Sequence, residues 1–178
     1  MFNASESVAA DYQYDYRKVR EVLERDGEIF QAYFFNSTPN PPVDQQNKFH
    51  AWMRSAPPYG PKIQVKLYGL KTLKVNCSGC KKSIKRDVQK GVDIGIATLA
   101  LTMINRYDTL ILSSGDGDFK DATEYIRNQS NKRLELAVFK TGVSTDLQSM
   151  SDKIYWLDEY KDEIRKTDSK APVATPGP

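Results

Sequence analysis

Short apolar runs alternate along this chain with segments whose apolar residues recur at helical spacing. Few architectures accept that alternation. Strands separated by helices pair most simply in a parallel sheet, with the helices covering its faces. The run "DTLILSS" (108–114) is continuously apolar, as expected of a central parallel strand covered on both faces. "RLELAVFK" (133–140) and "KIYWL" (153–157) predict two more strands. "EIFQAYFFNS" (28–37) is aromatic-rich and predicts a buried strand. "KIQVKLYGL" (62–70) alternates Ile63, Val65 and Leu67 with Lys62, Gln64 and Lys66, which predicts a half-exposed one. Helices are predicted at Arg17–Glu24, Val43–Arg54, Gly91–Asn105, Phe119–Gln129 and Asp158–Arg165. The pattern reads as an α/β sandwich with a mostly parallel central sheet. In such sheets, sites lie beyond the carboxyl ends of the strands.

Composition sets the outer bounds. The 178 residues are 39% hydrophobic and 28% charged, which suits one globular domain, expected over 1–166, with a Pro/Gly-rich tail at 167–178. No apolar run is long enough to span a bilayer, and the N-terminus has no basic segment followed by an apolar one. Two cysteines cannot build a disulfide framework. These features predict a cytoplasmic protein with no membrane partner.

The net charge of +3 is unevenly spread. Between Pro61 and Lys90 stand Lys62, Lys66, Lys71, Lys74, Lys81, Lys82, Lys85, Arg86 and Lys90, against the single acid Asp87. "KTLKVNCSGCKKSIK" (71–85) alternates on either side of "NCSGC", so the stretch reads as a basic hairpin inserted at about 61–90, with Ser78-Gly79 at its tip. It is either a solvated hairpin or an electrostatic footprint for nucleic-acid phosphates. Cys77 and Cys80 have the spacing of half a zinc site, but the chain has no other cysteine and His50 is its only histidine. Two free thiols at a hairpin tip, an intermolecular zinc site and an oxidation-sensitive pair all fit. His50 lies amid Phe49, Trp52 and Met53 and reads as a partly buried helix residue. Tyr12, Tyr14 and Tyr16 either pack near the first helix or stack on single-stranded bases.

"SSGDGDF" (113–119) follows the apolar run directly. Asp116 as a turn former and Asp118 as a helix N-cap would be ordinary uses of aspartate. The segment lacks the third glycine of a dinucleotide fingerprint and the Lys-Ser/Thr end of a phosphate loop. As a calcium loop it would carry Lys120 and Arg127 where carboxylates are needed. "KGVDIGIATLAL" (90–101) places Asp93 in the first turn of its helix, where it complements the helix dipole. That helix feeds the strand ending at Asp116, so the three carboxylates are candidates for one edge of the sheet. Together they would repel unless a cation neutralised them. Hard oxygen ligands suit Mg²⁺ or Mn²⁺, and such an ion beside a basic surface is suited to phosphodiester hydrolysis.

"KGVDIGIATLAL" followed after a short spacer by "DTLILSSGDGDF" resembles the NYN domain, a branch of the PIN-like nucleases. "LELAVFKTGVSTDLQSMSDKIYWLDE" is similar too, with a helix around Leu147 and Asp152 before the final strand, so the resemblance covers roughly residues 1 to 160. It implies a three-layer α/β/α fold, PIN-like and Rossmann-like, and a metal-dependent ribonuclease. It implies that Asp93, Asp116 and Asp118 are the metal-binding acids, with Ser114 at the small hydroxyl position beside the site. The family's first strand ends in an Asp, with an Asn a few residues later. Asn3 matches that Asn, but "MFNASESV" has no strand or Asp before it. Either residues upstream of Met1 supply them, which is the expectation adopted here, or the chain is a catalytically weak member.

The sequence therefore predicts an endoribonuclease using Mg²⁺ or Mn²⁺ at Asp93, Asp116 and Asp118, with Asn3 and Ser114 positioning water or substrate. Lys81, Lys82, Lys85, Arg86 and Lys90 would hold the backbone of single-stranded or structured RNA. A homodimer is left open. The alternatives are a non-catalytic adaptor that binds RNA or a protein, and a hydrolase of small phosphate esters.

Overall fold

A computed structural model of the chain describes residues 8–9, 11–39, 41, 43–76, 79 and 83–167. Asn3, Cys77, Cys80, Lys81, Lys82 and the tail from 168 lie outside the described residues.

Helix α1 spans Tyr16–Leu23 and buries Val19, Val22 and Leu23. Asp15 caps it by accepting the backbone N–H of Arg17 at 2.8 Å. Strand β1 is Tyr33–Thr38, shorter than the sequence predicts, because the chain before it turns Phe30 out to solvent. Helix α2 (Asp44–Arg54) follows, then β2 (Gln64–Gly69). Strands β3 (Lys71–Asn76) and β4 (Ser83–Val88) pair antiparallel as the expected hairpin. Helix α3 (Val92–Thr102) starts after Gly91, whose φ of 85° is a left-handed conformation that glycine adopts without strain. Strand β5 (Thr109–Leu112) leads through a 3-10 turn, Gly117–Phe119, into α4 (Lys120–Glu124) and a π turn, Tyr125–Gln129. Strand β6 (Arg133–Val138), α5 (Thr145–Met150) and β7 (Lys153–Trp156) complete the alternation. A 3-10 turn, Leu157–Tyr160, then leads into α6 (Lys161–Ile164).

Among the described residues, every pairing between strands outside the hairpin is parallel: β1 with β2, β5 with β6, and β6 with β7. Residues on the strands alternate between two covered faces. Ile111, Ala137, Phe139 and Tyr155 join Val19, Val22 and Leu23 of α1 and Ile164 of α6 in one core. Leu112, Leu134, Leu136 and Val138 join Phe119 and Leu147 in the other, with Ile96 and Ala97 of α3 against it. Tyr16 and Phe34 stack edge-on at 5.4 Å, and Phe49 of α2 packs on both. The protein is therefore a three-layer α/β/α sandwich, with α1, α2 and α6 on one side and α3, α4 and α5 on the other.

Strand β6 is the inner strand of its sheet, with Leu134 to Val138 all buried. Each leucine so covered contributes about 1.5–3 kcal/mol relative to an exposed one. The sequence assigns that central place to β5. Among the described residues β5 pairs with β6 alone, and Thr109–Ile111 are only half-buried. The parallel strands fall into two sheets, β1–β2 and β5–β6–β7, although α1 and α3 pack on both. One edge of β1 and one edge of β5 therefore have no strand partner among the described residues. No described helix is long and apolar enough to cross a membrane.

Candidate active site

The carboxyl ends of β5 and β6 open into two loops that touch. Gly115 makes the contact possible: a Cβ on it would fall 2.8 Å from the Gly142 carbonyl oxygen and 2.9 Å from the Val143 Cα. Both neighbours are backbone, so nothing larger than hydrogen fits without displacing a loop. The Ser144 N–H donates to the Gly115 carbonyl at 2.8 Å and fixes the approach. Gly142, at φ 77°, turns the second loop. The loops enclose an open cleft of about 690 Å³, with Ser113, Ser114 and Asp116 on one wall and Thr141 and Ser144 on the other.

The acidic turn stands at the mouth of this cleft. Asp116 caps the 3-10 turn through its side chain, which accepts the Asp118 N–H at 3.0 Å. The Asp116 N–H in turn donates to Ser114 Oγ at 3.3 Å. Phe119, 3% exposed, anchors the turn in the core. Asp116 and Asp118 are themselves exposed. The capping job that the sequence offers to Asp118 falls to Asp116. Lys120 and Asp146 pair at 3.0 Å between α4 and α5, and that hydrogen bond raises the Lys120 pKa.

Asp93 is exposed in the first turn of α3, and α3 packs against the turn Gly117–Phe119. The fold thus brings the helix of Asp93 to the acidic turn. Among the described residues, however, no group of three or more His, Cys, Asp or Glu side chains closes around one point as a metal cage. The donor set still suits a hard divalent ion. Mg²⁺ keeps several waters and needs only one or two carboxylates. Asp116 retains an oxygen beyond the one accepting from Asp118, and Asp118 makes no side-chain ion pair among the described residues.

Of the predicted RNA-contacting residues, Lys85 and Arg86 lie on β4, and Lys90 is exposed just ahead of α3. Lys74 stands directly opposite Lys85 in the hairpin register. The hairpin pairs with no other strand among the described residues. Tyr12 and Tyr14 are buried and pack on Phe139, so they are core residues. His50 is buried too, with its Nε2 3.4 Å from the Asn36 amide. Thr141 and Ser144 were not singled out in the sequence. The signal was there: "KTGVST" follows β6 as "SSGDGD" follows β5, at the same edge of a parallel sheet.

The NYN domain family model matches residues 3–158. The chain belongs to the NYN domain family. Members are generally ribonuclease-like, bind RNA and use divalent metals. Over 86 residues the chain is 30% identical to the low amplitude and bright protein LabA of Synechococcus elongatus, a match covering 47% of this chain and 45% of LabA. The matched region is thus less than half the length of that relative. A crystal structure of a protein of unknown function from Vibrio parahaemolyticus is similar over 93% of this chain and 88% of its own, at 25% identity and a TM-score of 0.68.

Proposed function

We propose that this NYN domain is a metal-dependent endoribonuclease that hydrolyses RNA phosphodiester bonds with Mg²⁺ or Mn²⁺ in the cytoplasm. One observation carries the reading. The capped turn puts Asp116 in the wall of a hydroxyl-lined cleft, with exposed Asp118 two residues on and the helix of Asp93 packed against the turn.

Asp116 and Asp118 would hold the ion, with Asp93 reaching it through water. When bound, the ion would lower the pKa of a water and screen charge on the phosphate. The chain's own part is placement. The Asp116 cap fixes the angle of the turn. Ser114, Thr141 and Ser144 offer hydroxyls to phosphate oxygens or to the attacking water, and Asn3 is assigned the same positioning role. Lys81, Lys82, Lys85, Arg86 and Lys90 would track the backbone, which needs positive charge along its length.

A second reading, an RNA-binding or protein-binding adaptor, is favoured by the lack of a three-acid cage among the described residues. Cleavage of mixed single-stranded and structured RNA under Mn²⁺, Mg²⁺ and EDTA separates the two. Metal-dependent scission supports the nuclease; RNA binding without scission supports the adaptor.

A further inference from the structure

A second groove, of about 420 Å³, runs between α3 and the β1–β2 pair, and the reading above leaves it without a role. One wall is a stripe of α3 that includes Ile94, Gly95 and Thr98; the other includes Phe35, Lys66 and Tyr68. The Phe35 and Tyr68 rings lie nearly parallel, 22° apart with centroids at 6.4 Å. Tyr68 is seated hard against the helix: a Cβ on Gly95 would come within 1.9 Å of its hydroxyl oxygen. The glycine thus lets an aromatic ring reach the helix backbone. Ile94, next to Asp93, is 74% exposed at the rim. Lys66 and Lys90 are also exposed, and neither makes an ion pair among the described residues.

We propose that this groove is a base-binding subsite, in which one unstacked nucleobase of a single RNA strand lies against Tyr68 and Phe35 while its flanking phosphates meet Lys66 and Lys90. The proposal rests on RNA being the substrate and adds which part of it is gripped, and where. A flat apolar surface flanked by cations complements a nucleotide, which has a flat face and anionic neighbours. The groove is walled by the helix that carries Asp93, so a base seated there would lead the next phosphates toward the acidic turn. Single strands would be gripped more tightly than duplexes, whose bases are already stacked.

The test is binding in EDTA, where metal-dependent cleavage is suppressed. A fluorescein-labelled oligouridylate is compared with an abasic strand of equal length and charge, by anisotropy. The proposal expects the protein to favour the base-bearing strand by about fivefold or more. Tyr68→Leu removes the ring face, and Thr98→Glu fills the groove from an exposed helix position; both should erase that preference. Lys66→Gln should weaken both strands alike and flatten the salt dependence. Thr98→Glu, with unchanged melting, guards against misfolding in Tyr68→Leu. Equal binding of both strands, or a preference kept in Thr98→Glu, overturns the subsite, and the ribonuclease reading survives if RNA is still cleaved. A protein that neither binds nor cleaves RNA overturns both.

Discussion

The Asp116 carboxylate accepts the backbone N–H of Asp118 at 3.0 Å, so the residue proposed to hold metal also holds the turn together. The two roles can be separated. Asn caps a helical turn about as well as Asp, whereas Ala does not. Asp116→Asn is therefore expected to match the parent protein in urea unfolding. Asp116→Ala should be less stable by about 1 kcal/mol. Equal stability of all three would show that the cap does not matter.

Gly115 is a second local constraint. A Cβ placed on it would lie 2.8 and 2.9 Å from backbone atoms of the β6–α5 loop, which cannot rotate away as a side chain can. Gly115→Ala is expected to cost about 1–3 kcal/mol and to lower activity by pushing the cleft walls apart. Denaturant unfolding and cleavage rate would be measured together. An unperturbed variant would mean that the loops are not in contact in solution.

Burial lowers the pKa of His50, and the nearby Arg54 pushes it the same way. The folded chain therefore takes up a proton at His50 less readily than the unfolded chain does. Below the unfolded value of about 6.5 the unfolded state binds more protons, so stability falls as the pH is lowered. The loss should begin near pH 6.5 and continue down through the lower folded value. His50→Gln should be less stable at neutral pH but flatter across that window. A parallel pH profile for the two proteins would contradict this.

Much of this was legible in the sequence, for physical reasons. The periodicity around Val19, Val22 and Leu23 and the continuous run at Leu134–Val138 mark burial directly, so the helices and parallel strands were readable. The spacing from Asp93 to Asp116 pointed to one edge of the sheet, and the helix of Asp93 does pack against the acidic turn. What stayed hidden depends on tertiary neighbours. Nothing local shows that Ser144 meets Gly115, or that Gly95 exists to admit Tyr68. Nor does the apolar run at Leu110–Leu112 reveal that β5 pairs on one edge alone among the described residues.

The most direct test of the central claim is RNA cleavage by Asp116→Asn beside the unaltered protein, in Mn²⁺, Mg²⁺ and EDTA. Because the substitution keeps the cap, a change in rate reports on charge rather than on folding. The ribonuclease account predicts cleavage that needs the metal and falls at least about a hundredfold in Asp116→Asn, as expected when a ligand of a catalytic ion is lost. Cleavage that survives EDTA, or an Asp116→Asn protein that cuts as fast as the original, would contradict it.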